Sequence, residues 1–222
     1  MFSNPFPNAF GLDIGDLSIK LVQLRNLSHR GRGASYELMR ARSISLPPGL
    51  IVDGELQKPE QVRHYIQKLL KGREGDKPVK SPWVVASLPE TRGFIKHITI
   101  AKPNEDVIDD DISIEAKKHI PFGEDDSYYL DWEIIPNEKQ GEETRVIISA
   151  IPKLVADSYT YLLESLGLGV IALEIEALAI ARAMVTAGKE YTGEARALLD
   201  IGAARSSLIV YDDDALYVCM RN

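Results

Sequence analysis

Phe10-Gly11-Leu12-Asp13-Ile14-Gly15-Asp16-Leu17-Ser18-Ile19-Lys20-Leu21-Val22-Gln23-Leu24 reads as two strands folded sharply around a chemically loaded turn. A counterpart stands far along the chain: Ala197-Leu198-Leu199-Asp200-Ile201-Gly202-Ala203-Ala204-Arg205-Ser206-Ser207-Leu208-Ile209-Val210-Tyr211. In both, an apolar run reaches an Asp, a Gly follows after one residue, and a hydroxyl residue opens a second strand of recurring apolar positions. The chain therefore carries one strand-turn-strand pattern twice.

A strand ending in Asp-Ile-Gly sets a carboxylate at a sheet edge, where it can hold a hydrated divalent cation. The Gly lets backbone amides approach an oxyanion closely. A single such hairpin is equally the turn of a plain sheet. Two copies, at Asp13 and Asp200, point to phosphate handling.

The duplication resembles the actin, heat-shock-protein-70 and sugar-kinase superfamily, whose two related domains each present a phosphate-binding hairpin to a nucleotide held between them. Further motifs narrow the likeness: Gly11-Leu12-Asp13-Ile14-Gly15, Ser18-Ile19-Lys20, Ala86-Ser87-Leu88-Pro89-Glu90, Ile120-Pro121-Phe122, Leu130-Asp131-Trp132 and Glu174-Ile175-Glu176-Ala177. In this serial order they resemble the PilM family of type IV pilus assembly proteins, cousins of the division protein FtsA. The fold so implied is α/β: an actin-like, ribonuclease H-like domain with an inserted βαββ subdomain 1C, followed by the first strands of a second, incomplete actin-like domain. The expected domains are 1–88 with 152–195 for subdomain 1A, 89–151 for 1C, and 196–222 for the start of the second domain.

Composition bounds the remaining possibilities. The chain has 222 residues, enough to bury a sizeable core, with 45% hydrophobic and 27% charged residues. Its formal charge of −7 argues against a mainly electrostatic nucleic-acid binder, which needs clustered excess base. The single cysteine, Cys219, excludes an internal disulfide framework and fits a reducing cytoplasm. No run approaches the ~20 apolar residues needed to span a bilayer, so a membrane connection is expected to come through a partner.

Taken in order, residues 1–9 read as a loose leader broken by Pro5 and Pro7, and 26–33 as a polar turn. Tyr36 to Leu46 reads as a third strand, stopped by Pro47-Pro48-Gly49. A helix opens at Pro59, carries Val62, Tyr65, Ile66, Leu69 and Leu70 on one face, and stops at Gly72. Trp83 to Leu88 is a buried strand. The inserted unit follows: a strand at 94–100, a helix capped by Asn104 and running through His119, and strands at 128–135 and 145–151 around a charged turn at 137–144. The acidic start of that helix reads as a face matched to its dipole; Asp109, Asp110 and Asp111 diverge by about 100° each and make a poor metal site. A helix from Pro152 carries Leu154, Val155, Tyr159, Leu162, Leu163 and Leu166 up to Gly167. A strand at 170–173 leads into Glu174-Ile175-Glu176, a helix to about residue 187, a crossing at 190–194, and the second hairpin.

The resemblance assigns roles. Asp13, Gly15, Ser18 and Lys20 of the first hairpin, and Asp200, Gly202 and Ser206 of the second, are expected to bind ATP, with Asp13 and Asp200 meeting Mg2+. Lys20, seven residues after Asp13, stands where actin-like proteins use a Lys for phosphate; on residue type alone it is equally a solvent-facing strand residue. Glu176, at a strand-to-helix turn, stands where relatives orient an attacking water, or is an acid favoured by a helix N-terminus. Asp16 departs from the family, which has a small hydroxyl residue there, and would set a like charge against polyphosphate unless it turned outward. The second domain of the family continues for well over a hundred residues past this point, so the chain reads as truncated, with sheet edges that invite self-association.

The function implied is a cytoplasmic ATP-binding scaffold with little or no hydrolysis. It would sit at the inner-membrane platform of a type IV pilus or a related secretion or competence system. Its partner would be the cytoplasmic N-terminal peptide of a bitopic PilN-like protein, alongside other platform proteins. A phosphotransferase or ATPase of the superfamily and an FtsA-like division polymer are the alternative classes.

Overall fold

The computed structural model describes residues 5, 6, 8–27, 35–123, 127–135, 143–185, 195–203, 205–212 and 215–221. Most of the turns expected at 26–33 and 137–144, and the crossing at 190–194, lie outside them. Two compact units emerge: Met1–Pro89 with Ala156–Glu176, and Glu90–Val155 with Ala177–Asn222.

The first unit is built on a five-stranded sheet. Strands β1 (Phe10–Ile14), β2 (Ser18–Asn26) and β3 (Tyr36–Ser45) form an antiparallel meander. A short hairpin, β4 (Ile51–Val52) and β5 (Glu55–Leu56), precedes helix α1 (Pro59–Lys71); β6 (Trp83–Leu88) follows. The sheet order is β10-β6-β1-β2-β3, where β10 is Gly169–Ile175, and β1, β6 and β10 run parallel. Alternation explains β1: Phe10, Leu12 and Ile14 are buried while Asp13 between them is not. Helix α1 buries Val62, Ile66 and Leu69, and α3 (Lys153–Glu164) buries Tyr159, Leu162 and Leu163. Each fully buried Ile or Leu of this set contributes about 1.5–3 kcal/mol.

Two expectations are corrected in this region. Leu154 was expected on the apolar face of α3, yet it is 84% exposed, because Pro152 is still the last residue of a strand and the helix's buried stripe begins at Val155. The loose leader is anchored in part: the Phe6 ring stands edge-on to Trp83 at 5.1 Å, and the Gln23 side-chain amide donates to the Asn8 carbonyl.

The second unit holds β7 (Phe94–Ile100), α2 (Asp109–Lys117), β8 (Tyr128–Ile135) and β9 (Thr144–Pro152), with the antiparallel order β7-β9-β8. Alternation gives this sheet two apolar faces. Ile98, Ile100, Val146 and Ile148 pack with Ile112 and Ala116 of α2. Ile95 and Ile147 join Ala177 and Ala181 of α4 (Glu176–Val185), together with Ile209 and Leu198 of the second hairpin. That hairpin consists of β11 (Arg196–Ile201) and β12 (Ser206–Asp212), extended by β13 (Ala215–Arg221). By contacts, the described residues from Ala177 to Val185 group with the second unit. Among the described residues no helix is long and apolar enough to cross a membrane.

The single helix expected from Asn104 through His119 is two pieces. Asn104–Asp106 is a 3-10 turn, and Asn104 caps nothing; Val107 and Ile108 are extended (ψ 128° and 162°) before α2 starts at Asp109. The break has a packing cause, since Val107 turns into the apolar cluster beneath α2. The N-terminus of α2 is closed instead by Asp111, whose carboxylate accepts the Ile108 N–H at 3.2 Å and the Lys102 ammonium at 2.7 Å.

Those two contacts, the Lys102 hydrogen bond first, hold the Asp111 carboxyl below its ordinary value. A lowered folded-state pKa gives a contribution that is present above the unfolded value, about 3.9, and disappears as pH falls through the lower folded one. Asp111→Asn is expected to melt slightly below the wild type at pH 7, with the gap shrinking as pH falls below the unfolded value of about 3.9. Thermal melts across that range check this; a gap that persists at pH 2 contradicts it.

Candidate functional site

The first hairpin places Asp13 opposite Lys20 in register, and the pair closes: Lys20 Nζ lies 2.8 Å from Asp13 Oδ2. The other carboxylate oxygen accepts the Ser87 hydroxyl at 3.1 Å, and Ser87 Oγ receives the Ile14 N–H at 3.4 Å. Asp13 is therefore held from both sides at the end of β1. The Lys20 contact is exposed and worth at most about 1 kcal/mol, so it can exchange for a phosphate without cost to the fold. The turn is closed by the Gly15 N–H donating to the Ser18 carbonyl at 3.0 Å.

Asp16 turns away from this backbone. Its two carboxylate oxygens accept the N–H groups of Asp53 and Gly54, each at 3.1 Å, in the turn of the β4–β5 hairpin. Both residues have positive φ, 49° and 74°, which aims successive amides at one anion. The Gly54 carbonyl accepts the hydroxyl of the buried Tyr159 at 2.9 Å. The one acidic departure from the family pattern is thus satisfied by backbone amides rather than set against phosphate.

Because β1, β6 and β10 are parallel, their C-terminal ends share one sheet edge, the position at which open α/β sheets bind ligands. Asp13 and Ser87 stand there, and Glu176 follows β10 directly as the first residue of α4. Glu174, two residues earlier in β10, pairs with Ser87.

The second hairpin repeats the first in backbone detail. The Gly202 N–H donates to the Arg205 carbonyl at 2.8 Å, the counterpart of Gly15 and Ser18. A Cβ on Gly202 would sit 3.0 Å from that carbonyl oxygen, so the tight closure calls for glycine. Asp200 pairs in register with Ser207, seven residues on, as Asp13 pairs with Lys20. Ser206 pairs with Ile201 on the opposite face, so the hydroxyl that shares the Asp200 face is Ser207. Counting seven residues from each Asp in the sequence would have found it.

Sequence reasoning also passed over Glu90. Its side chain is only 8% exposed and its Oε1 has no hydrogen-bond partner. Burial pushes the carboxyl above the ordinary range; the neighbouring Ser207 hydroxyl opposes this, the Asp200 charge adds to it, and Arg205 opposes it in turn. Ser207, the hydrogen-bonding neighbour of Glu90, is itself 7% exposed.

Carboxylate and hydroxyl oxygens form the hard donor set that suits magnesium, which keeps most of its waters and takes one or two carboxylates. Among the described residues no group of three or more His, Cys, Asp or Glu side chains is arranged for a metal, so a cation at either hairpin is held by few protein ligands.

No curated protein sequence matches the chain. Among solved structures, it is similar to a chain of a PilM-PilN type IV pilus biogenesis complex, with a TM-score of 0.79 and 24% identity over 96% of this chain and 62% of that one. It is also similar to the cytoplasmic domain of EpsL, an inner-membrane component of the Vibrio cholerae type II secretion system, with a TM-score of 0.53 and 10% identity over 96% of this chain and 71% of that one. These likenesses establish the fold, a mixed α/β architecture of the actin-like type. The chain spans 62% of the PilM-PilN relative it matches. The sequence model of the family described as type IV pilus assembly protein PilM matches residues 11–222, and the chain belongs to that family.

Proposed function

We propose that the chain is the ATP-binding, partner-docking part of a pilus-platform scaffold. It docks the short cytoplasmic N-terminal peptide of a PilN-like bitopic membrane protein, and lies peripheral to the inner membrane through that partner. Membership of the PilM family and the likeness to a PilM-PilN complex support the partner. The observation that carries the nucleotide is the repeated closure: in each hairpin an Asp stands two residues before a glycine whose N–H bonds the carbonyl three residues on.

The roles proposed for the residues are these. Gly15 and Gly202 let the turn backbone come close to phosphate oxygens, Ser18 and Ser206 flank the turns, and Lys20 neutralises phosphate charge when it leaves Asp13. Asp13 and Asp200 hold a hydrated magnesium ion, which when bound offsets the charge of the polyphosphate. Glu176 stands at the shared strand edge to position a water. With one such residue and no second acid or base assigned, nucleotide stabilises a conformation more than it fuels turnover.

The partner is tested by calorimetric titration of the 222-residue chain with a synthetic peptide copying the cytoplasmic N-terminus of the PilN-like protein from the same operon. Saturable one-to-one binding is expected, absent for a scrambled peptide. No heat above that of the scrambled control contradicts the scaffold reading.

A further inference from the structure

Strand β3 is the outer strand of its sheet, and among the described residues no strand pairs with its free edge. Two bonds fix which of its backbone groups point there: the Leu46 N–H donates to the Leu17 carbonyl, and the Leu27 N–H to the Ser35 carbonyl. Alternation along the antiparallel ladder then turns the N–H and C=O groups of Ala41, Ser43 and Ser45 away from β2. Tyr36 and Leu38 do the same on the far side of a bulge at Met39, which the register skips. Such a row of outward backbone groups is a template for an extended chain.

A groove of about 530 Å3 follows the strand, lined by residues 37–42 of β3 and by Asp76 and Lys77 of the loop after α1. Arg42 holds that loop beside the strand, donating to the Leu69, Leu70 and Lys77 carbonyls at 2.8, 2.9 and 2.7 Å. Six strand residues run about 20 Å, the reach of a peptide segment. In a chain of formal charge −7, four cations line the groove, Arg25, Arg40, Arg42 and Lys77, against the carboxylates of Glu37 and Asp76. Arg25 meets Glu37 at 3.2 Å, and Arg40 donates from Nη1 to the Gln23 side-chain oxygen. The other N–H groups of Arg40 and the exposed Lys77 ammonium face a ligand's carboxylates.

The two faces of this edge differ. Arg40 and Glu37 share the face of Gln23 and Arg25, while Leu38 and Ala41 share that of Leu24 and Val22, where Leu38 is 60% exposed. An added strand therefore meets cations with one set of alternate side chains and apolar surface with the other. A second copy of this chain fits poorly, since β3 against β3 brings both copies' Arg40 and Arg42 onto one short ladder.

We propose that β3 is a docking edge for an extended segment of another protein, in which carboxylates alternate with apolar residues, added to the sheet as a further strand. This goes beyond the nucleotide and the PilN-like peptide and depends on neither.

The probe is a fluorescein-labelled synthetic peptide of repeated glutamate-valine pairs, followed by fluorescence anisotropy on the 222-residue chain. Saturable binding is expected that weakens with added salt, and the lysine-valine counterpart should not bind. Arg40→Gln is expected to weaken binding about tenfold and Lys77→Gln about threefold. Lys118→Gln, a surface cation of the second unit, should leave it unchanged. Ala41→Pro removes an outward N–H where an edge strand tolerates proline, and should weaken binding about tenfold. Circular dichroism checks the fold of each variant. N-methylation of alternate peptide amides keeps the test independent of any variant's fold: one of the two phases should abolish binding and the other should spare it. Equal binding of the acidic and basic peptides, equal binding of both N-methylated phases, or no binding of the acidic peptide by wild type overturns the proposal. So does a wild type that sediments as a dimer and an Ala41→Pro variant that sediments as a monomer, which would make a second copy the occupant.

Discussion

Asp13→Ala and Asp200→Ala are each expected to weaken magnesium-dependent ATP binding on the order of 10–100-fold, the loss that follows removal of a carboxylate acting on a cation through water. Asp13 is one-third exposed, and its contact with Lys20 is worth at most about 1 kcal/mol, so the variant should fold. Ser87→Ala frees one oxygen of Asp13 and should cost less, because Lys20 still orients the group. Asp16→Ala is the internal control. Its carboxylate is occupied by the Asp53 and Gly54 amides, so ATP affinity should stay within about twofold while stability falls by about 1–2 kcal/mol. Calorimetry with ATP in magnesium and in EDTA checks all four. A fall in affinity for Asp16→Ala as large as for Asp13→Ala would show that the tip of the turn, not its carboxylate base, meets the nucleotide.

The second large effect falls on stability. Tyr159 is the largest fully buried side chain and shows no exposed surface, while its hydroxyl satisfies the Gly54 carbonyl at 2.9 Å. Tyr159→Ala is expected to cost about 3–5 kcal/mol in urea denaturation, the range for an aromatic truncated in a core. Tyr159→Phe keeps the ring but strands the carbonyl, and should cost about 1–3 kcal/mol. Because the same Gly54 offers its N–H to Asp16, the Phe variant should also make Asp16→Ala less costly than in the wild type. Strictly additive losses would show that the two contacts do not share the turn.

What could be read from the sequence was local. The two-strand turn that brings Asp13 opposite Lys20 stands where the sequence indicates it, and β7, α2, β8 and β9 follow in the order that apolar alternation and helical spacing indicate. What stayed hidden depends on residues distant in the chain. The fate of Asp16 is decided by a turn nearly forty residues later, in a two-residue hairpin too short to announce itself. The grip of Ser87 on Asp13 exists because β6 pairs parallel to β1, which no local pattern reports. Val107 breaks a run that reads as continuous helix because its side chain has a core to enter. Glu90 enters the sequence reading only as the end of a short motif, and its burial depends on residues of the second hairpin, Ser207 among them.

We propose that each hairpin is a phosphate site for nucleotide. The direct measurement is titration of ATP with magnesium into the isotope-labelled chain, following the backbone amides of Gly15 and Gly202 by nuclear magnetic resonance. The account predicts that both amides shift and saturate at the same ATP concentration, and that both shifts vanish in EDTA. A shift at one hairpin alone, or at neither while amides elsewhere respond, would contradict it.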